Sequence, residues 1–243
     1  RRARRKGGDR MSVSEVDLRP VPVRGAEPGP EPRTMAVLRR ERDALRDRTE
    51  AGDPSGVERQ HELGKRTARE RLDRLLDEGS FFELGMFRRR RDAGPETEGR
   101  RPHTDGVVTG SGTIDGRRVF VYAQDFTILG GSLGAEHARK IHRVMDLALD
   151  AGAPIVALND SGGARIQEGV AALDGYGGIF RRQVAASGVI PQISVVLGPC
   201  AGGAAYSPAL ADFTFMVRGT ARMYLTGPDV IAAVSGERVG HDE

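Results

Sequence analysis

The chain contains a single cysteine and few aromatic side chains. Its 243 residues include one cysteine, Cys200, and no tryptophan, and aromatic residues make up 5% of the total. One cysteine excludes an internal disulfide framework and a zinc site built from four cysteines of this chain, so we expect a reducing, cytoplasmic location and no metal. No run of 18 apolar residues occurs, and the sequence therefore predicts no membrane span.

The charge excess is small and local. The formal net charge is +3, and much of the basic excess falls in "RRARRKGGDR" at positions 1–10. A nucleic-acid binder is one interpretation of this run and of "RRRR" at 88–91, but the chain has few aromatic residues and no recognised nucleic-acid-binding motif. We therefore expect a tail over residues 1–56, disordered over 1–33 and helical over 35–50, followed by one domain over 57–243.

From residue 57 onward the pattern alternates between helices and strands. Thr67 and Glu70 have the spacing of a capping box, and Asp115-Gly116 is the turn signal of a β-hairpin. Helices are predicted at 135–151, at 165–186 with interruptions at three glycines, at 203–211 and from Pro228; short strands are predicted at 154–160, 192–198, 213–217 and 221–226. This order predicts an α/β fold.

Two glycine-rich junctions follow two of the predicted strands. "PIVALND" leads into "SGGARIQEG" and "QISVVLG" leads into "PCAGGAAYSP", in each case before a helix. Such a junction leaves backbone N–H groups without partners, and two of them at one sheet edge could form an oxyanion hole. The competing interpretation is that these glycines serve turn geometry alone.

The sequence gives little indication that a cysteine or serine side chain acts as a catalytic nucleophile. None of the five histidines forms a recognisable motif with Cys200, and no G-x-S-x-G elbow surrounds Ser161 or Ser207. Neither glycine stretch fits a phosphate-binding loop. We therefore expect Cys200 to be a buried, unreactive thiol, and the chemistry to come from the backbone.

Five stretches resemble one enzyme family. These are "GKRTARERLDRLLDEGSFFELG", "GSGTIDGRRVFVYAQDFTILGGSLGAEHARKI", "NDSGGARIQEGV", "SGVIPQISVVLGPCAGGAAYSPAL" and "YLTGPDVI". They closely resemble the carboxyltransferase (β) subunit of biotin-dependent acyl-CoA carboxylases, of the propionyl-CoA or acetyl-CoA type. The resemblance implies a crotonase-like fold of ββα spiral units and transfer of a carboxyl group from carboxybiotin to the α-carbon of a short acyl-CoA.

The resemblance also implies the residues of the site. The enolate-like thioester oxygen would be held by backbone N–H groups at Gly163, Ala164, Gly202 and Gly203. The acyl-CoA would lie along "DFTILGGSLG", with contacts from Phe126, Thr127, Gly130, Gly131 and Ser132, and its phosphates would be met by Lys140 and Arg165.

Family members are about twice this length, so the resemblance covers an N-terminal half that carries the acyl-CoA half-site, with the C-terminal domain absent. Biotin is expected on a separate biotin carboxylase or carrier subunit, and the family forms homo-oligomers, typically hexamers. The alternatives are an inactive truncated remnant or assembly partner, and another crotonase-type enzyme, a hydratase or decarboxylase, with Glu168 as the nearest carboxylate.

Overall fold

A computed structural model describes residues 34–91, 101–226 and 228–238. The chain divides into two compact units between Glu41 and Arg42. The segment 1–33, expected to be disordered, lies outside the described residues, as does much of the charged stretch after Arg91. The helix that contains residue 57 begins at Pro54, because the Asp53 carboxylate caps it by accepting the Gly56 N–H at 2.9 Å. The domain boundary at residue 57 stays a prediction.

Apart from a helix at Pro54–Glu62 and a strand at Phe82–Glu83, which were not predicted, the helices and strands follow the predicted order. The helices are α1 (Met35–Ala51), α2 (Pro54–Glu62), α3 (Ala68–Leu75), α4 (Ala135–Ala151), α5 (Val170–Ala186), α6 (Gly203–Ala209) and α7 (Pro228–Ser235), with short 3₁₀ turns at His103–Gly106, Leu129–Gly131 and Ile166–Glu168. The strands are β1 (Phe82–Glu83), β2 (Val107–Ile114), β3 (Arg117–Gln124), β4 (Ile155–Ser161), β5 (Gln192–Ala201), β6 (Phe213–Met216) and β7 (Arg222–Tyr224).

Within the described ranges these strands form one mixed sheet in the order β1-β2-β3-β4-β5-β6. The pairs β1–β2 and β2–β3 are antiparallel, and the pairs from β3 to β6 are parallel. The strand β7 pairs with the C-terminal end of β5, beyond the stretch that pairs with β6. The C-terminal ends of β4 and β5 therefore lie side by side.

Side-chain hydrogen bonds to the backbone explain where the helix α3 begins and where the hairpin β2–β3 turns. The Thr67 hydroxyl accepts the Glu70 N–H, and the Glu70 carboxylate accepts the Thr67 N–H at 2.8 Å, which confirms the capping box. Asp115 and Gly116 both adopt positive φ, 49° and 75°, as a two-residue hairpin turn of the primed type requires. The Asp77 carboxylate accepts both of their N–H groups and so fixes the turn.

The sheet is covered on both faces. Phe120 and Tyr122 of β3 pack with α4 and α5 in one buried cluster, whereas Val119 and Val121 pack with α3 in another. Alternate side chains of a strand point to opposite faces, so one strand contributes to both clusters. This explains why the central strands are almost continuously apolar in sequence.

The helix α5 corrects one expectation. Gly175, Gly177 and Gly178 were predicted to interrupt it, but the helix runs through all three. A Cβ on Gly175 would lie 2.7 Å from the Cβ of Ala138, and a Cβ on Gly178 would collide with the His142 ring. Two of the glycines therefore allow α4 and α5 to pack closely.

The strand β6 has an exposed apolar surface. Among the described residues it pairs only with β5. Phe213, Phe215 and Met216 are 59%, 57% and 52% exposed, and they lie on both faces of the strand.

None of the helices in the described ranges combines the length and the apolar character that crossing a bilayer requires. The cytoplasmic location stays a prediction.

The glycines of α5 provide a test of the close packing. We expect Gly175→Ala to lower the free energy of unfolding by about 1–3 kcal/mol, because the added methyl group overpacks the α4–α5 contact. Gly177→Ala is the matched control, since a Cβ there meets nothing within 4 Å; it should raise stability by about 1 kcal/mol through helix propensity. Urea unfolding of both variants measures the difference, and equal effects would contradict the packing argument.

Candidate active site

The two glycine junctions open on one cavity. Because β4 and β5 are parallel neighbours with Ser161 opposite Cys200, the segments that follow them leave the sheet at the same edge. A cavity of about 440 Å³ lies between these segments. Its lining consists of Gly162, Gly163, Ala164, Leu173, Tyr176, Phe180, Ala201, Gly202, Gly203, Tyr206, Leu225 and Thr226. The structure thus brings together the four residues predicted to hold an oxygen.

The four backbone N–H groups are not equivalent. The Gly163 N–H donates to the Ser161 hydroxyl at 3.1 Å, and the Gly202 N–H donates to the Tyr224 carbonyl at 3.0 Å. Among the described residues, the N–H groups of Ala164 and Gly203 have no acceptor. The pair of donors left for a ligand is therefore Ala164 and Gly203.

Three of the glycines at these junctions have separate physical reasons. Gly163 has φ of 95°, and a Cβ there would lie 2.7 Å from the Ala201 carbonyl oxygen. Gly202 has φ of 56°, in the left-handed region that disfavours a side chain. The φ of Gly203 is not positive, but a Cβ on this residue would lie 2.7 Å from Cγ of Tyr176. Turn geometry explains the first two glycines, and packing against a ring explains the third.

Cys200 is part of a strand. The strand β5 extends three residues beyond the predicted end, because Cys200 pairs with Ser161 on one side and with Met223 on the other. The side chain is fully buried, and burial raises the pKa of its thiol to about 12. This environment supports the interpretation of Cys200 as an unreactive thiol.

The predicted acyl-CoA segment, Asp125–Gly134, lies against the first junction. The Gly162 N–H donates to the Gly130 carbonyl at 2.9 Å, and Leu133 forms a parallel bridge with Ala164. A Cβ on Gly131 would collide with the Asp160 carbonyl, so this glycine allows the turn to approach the end of β4. The turn supports the backbone around Ala164.

Two hydroxyls of this segment are engaged within the turn itself, and the Phe126 ring contacts a lysine outside it. The Thr127 hydroxyl donates to the Asp125 carboxylate and the Ser132 hydroxyl donates to the Leu129 carbonyl, each at 2.7 Å. The Lys65 ammonium lies 4.4 Å from the centre of the Phe126 ring.

Lys140 differs from its predicted role. It is 3% exposed, and its ammonium donates to the carbonyls of Thr104, at 3.0 Å, and Val107. Burial lowers the pKa of Lys140 to about 7. The expectation that it meets CoA phosphates is corrected, because its charge is directed into the fold.

Arg165 is likewise internal. It is 1% exposed, and its guanidinium pairs with Asp105 at 2.7 Å and with Glu168 at 2.8 Å. The other Glu168 oxygen accepts the Ala135 N–H at 2.7 Å. Arg165 therefore presents no charge to a phosphate, and Glu168 is held within this ion pair.

One ion cluster was missed by the sequence analysis. Asp160, directly before the first junction, is fully buried and pairs with Lys65 at 2.8 Å and with Arg71 at 2.7 Å. The sequence did show a carboxylate at the end of a predicted buried strand, and a buried charge requires partners, so an ion cluster at this position could have been predicted. Its partners lie 95 and 89 residues earlier in the chain, and local patterns do not reveal such pairs.

Comparisons with known proteins identify the family of the chain. The sequence profile of the carboxyl transferase domain family matches residues 59–243. The propionyl-CoA carboxylase beta chain of Cereibacter sphaeroides is 59% identical over 192 residues, which cover 79% of this chain and 38% of that protein. Methylmalonyl-CoA decarboxylase subunit alpha of Veillonella parvula is 59% identical over 188 residues, covering 77% of this chain and 37% of that protein.

Comparison with solved structures indicates the same family and also shows the fold. A crystal structure of transcarboxylase 12S, described as a hexamer with methylmalonyl-coenzyme A and methylmalonic acid bound, superposes with a TM-score of 0.83 at 49% identity. The superposition covers 87% of this chain and 42% of that chain. The fold is therefore the crotonase-like α/β fold of acyl-CoA carboxyltransferases, as predicted. The chain belongs to the carboxyl transferase domain family, and it spans less than half the length of these relatives.

The buried ion cluster gives a second test. We expect Asp160→Asn to lower the free energy of unfolding by about 3–5 kcal/mol, because it leaves two buried cations without a counter-charge. Asp146→Asn is the matched control: Asp146 pairs with Arg182 at 2.7 Å but is 44% exposed, so the expected loss is below about 1 kcal/mol. Similar losses in the two variants, measured by urea unfolding, would refute a structural role for the cluster.

The environment of Cys200 gives a third test. At pH 8 we expect the native protein to resist iodoacetamide, because a pKa of about 12 leaves roughly one thiol in ten thousand as the reactive thiolate. The same protein in 8 M urea should be alkylated completely, and intact mass spectrometry measures both reactions. Rapid alkylation of the folded chain would mean that Cys200 is reactive after all.

Proposed function

We propose that this chain provides the acyl-CoA side of a biotin-dependent carboxyl transfer to the α-carbon of a short acyl-CoA, with propionyl-CoA as the first candidate. The observation that carries the proposal is the pair of N–H groups at Ala164 and Gly203, which have no acceptor among the described residues and belong to one cavity. Charge develops on the thioester oxygen when the α-carbon loses its proton. Two backbone donors at that oxygen stabilise this charge without reorganising during the reaction.

The described lining of the cavity contains no carboxylate, histidine, lysine or cysteine side chain that could remove the α-proton. This composition fits a reaction in which the carboxyl donor also brings the base. When bound, carboxybiotin would supply the carboxyl group, and the ureido nitrogen that gives up this group would accept the proton that the α-carbon loses. The chain itself binds the acyl group and holds the oxygen.

The names of two relatives narrow the choice of candidate substrates. Carboxylation of propionyl-CoA at the α-carbon gives methylmalonyl-CoA, so a carboxylase and a decarboxylase with these names share one pair of acyl-CoA compounds. Acetyl-CoA is the second substrate candidate. A hydratase is the weaker alternative, because Glu168 is fixed by Arg165 and Ala135 rather than available as an acid or base.

The remaining parts of the site follow from the same proposal. The turn with Phe126, Thr127, Gly130, Gly131 and Ser132 is proposed to line the CoA side, supported by its hydrogen bond to Gly162. Biotin is proposed to arrive on a separate carrier or carboxylase chain. By analogy with the transcarboxylase 12S hexamer, we propose a homo-oligomer.

Backbone esters test the proposal directly. In the whole polypeptide that carries this sequence, lactic acid at position 164 or glycolic acid at position 203 removes one N–H and keeps the side chain. We expect turnover of methylmalonyl-CoA to propionyl-CoA, with free biotin as carboxyl acceptor, to fall about a hundred- to a thousandfold for each ester. The melting temperature should fall only slightly, because neither N–H is bonded within the protein. Each ester does weaken the preceding carbonyl as an acceptor, that of Gly163 for the Leu133 N–H and that of Gly202 for the Ala205 N–H.

Glycolic acid at position 202 is the matched control. It removes the hydrogen bond to the Tyr224 carbonyl, so it should lower stability by about 0.5–1.5 kcal/mol and reduce turnover less than the other two esters. The proposal is wrong if the unmodified protein does not transfer carboxyl groups, or if the esters at 164 and 203 leave turnover unchanged.

A further inference from the structure

The free N–H of Ala164 lies between two hydrogen bonds to one residue. The Leu133 N–H donates to the Gly163 carbonyl, and the Arg165 N–H donates to the Leu133 carbonyl, each at 2.9 Å. These bonds flank Ala164 and form its parallel bridge with Leu133, which is fully buried. The place of the Ala164 donor therefore depends on how firmly Arg165 is held against the segment that precedes α4.

The side chain of Arg165 binds the same segment. Its guanidinium donates to the Ser132 carbonyl at 2.8 Å. It also donates to the Asp105 carboxylate at 2.7 Å and to the Asp105 carbonyl at 3.3 Å. Arg165 is thus attached to Ser132 through its side chain and to Leu133 through its backbone, and Asp105 binds the guanidinium that makes the first of these contacts.

Asp105 is itself held in place from α4. Its second carboxylate oxygen accepts the His137 N–H at 2.9 Å, and its carbonyl oxygen, which can only accept, lies 3.0 Å from Nδ1 of the same histidine. Asp105 is 1% exposed and has φ of 49°, and the preceding Thr104 has φ of 68°. Non-glycine residues in the left-handed region are uncommon and cost free energy, and such strain clusters at functional sites.

The need for a counter-charge does not by itself explain Asp105. Glu168 already pairs with the NH1 group of Arg165 at 2.8 Å, and one carboxylate neutralises one guanidinium. Asp105 binds both terminal nitrogens, NH1 through its carboxylate and NH2 through its carbonyl. It therefore fixes the plane of the guanidinium, whose NH2 group also donates to the Ser132 carbonyl.

We propose that Asp105 is a positioning residue for the Ala164 donor. It fixes the guanidinium of Arg165 on the Ser132 carbonyl. The backbone of Arg165 then stays bonded to Leu133, and the Ala164 N–H keeps its place at the cavity. The inference rests on the function proposed above. Asp105 is not part of the described lining of the cavity, so it acts only through Arg165.

The test combines Asp105→Asn with the backbone esters in the whole polypeptide. Asparagine keeps the size of the side chain but loses the charge that holds the guanidinium. We expect kcat for carboxyl transfer to fall about ten- to a hundredfold, which is less than the loss of a whole donor. The KM for the acyl-CoA should change by less than about threefold, because the weakened interaction is made mainly in the transition state.

The combined variants separate positioning from a general effect on the fold. With lactic acid at position 164 the donor is absent, so Asp105→Asn should lower kcat by less than about twofold further, whereas independent sites would give additive losses. With glycolic acid at position 203 the Ala164 donor is present, and Asp105→Asn should still lower kcat by its full factor.

Glu83→Gln is the matched control. The Glu83 carboxylate is also largely buried and binds two nitrogens of Arg69, at 2.8 and 3.2 Å, but it lies on β1, which two strands separate from β4. We expect kcat to stay within about twofold of the wild type, because distant sites act independently. If Asp105→Asn does not fold, Arg165→Lys is used in the same combinations, because lysine keeps the buried charge but lacks the planar fork.

Unchanged kcat in Asp105→Asn, an equal loss with and without the N–H of residue 164, or the same loss in Glu83→Gln would overturn the proposal. If the wild-type protein transfers no carboxyl groups, the proposed function fails. Hydrogen exchange measured by mass spectrometry then still decides the positioning role. The peptide that contains the Arg165 amide, which is bonded to Leu133, should exchange faster in Asp105→Asn but not in Glu83→Gln.

Discussion

The parallel pairing of β4 with β5 is the interaction on which the site depends. It places Ser161 opposite Cys200, so the two strands end at the same level and their glycine-rich continuations face one cavity. A glycine junction on a single strand would offer one set of donors at one place. Two junctions on adjacent strands offer donors from two directions, which is the geometry that an anionic oxygen requires.

The end of β4 is held from both sides by distant parts of the chain. Asp160 is neutralised by Lys65 and Arg71, which precede the sheet in sequence, and its carbonyl lies against Gly131 of the turn after β3. A buried charge that loses its partners destabilises the fold strongly. The strand end next to the proposed donors is thus fixed by two ion pairs and a close backbone contact, and donors that act by preorganisation require such a fixed support.

Local patterns predicted the order of the elements from β2 onward, the capping box, the hairpin and both glycine junctions, because each is specified by neighbouring residues. The predictions failed where the deciding partner lies far away in sequence. Lys140 and Arg165 looked like surface cations, but carbonyls and carboxylates elsewhere in the chain bury them. Gly175 looked like a helix breaker, but Ala138 on the preceding helix makes it a close contact. The division of the four predicted donors into two occupied and two free groups also needed the three-dimensional structure.

The strand β6 has a consequence for how the protein behaves at high concentration. An unpaired edge with apolar side chains on both faces is a template onto which another strand can add, and natural proteins usually protect such edges with charge, proline or a covering element. Phe213, Phe215 and Met216 offer none of these protections. Among the described residues, β6 is therefore the place where one folded chain offers a strand edge to another, and this contact becomes more frequent as the protein concentration rises.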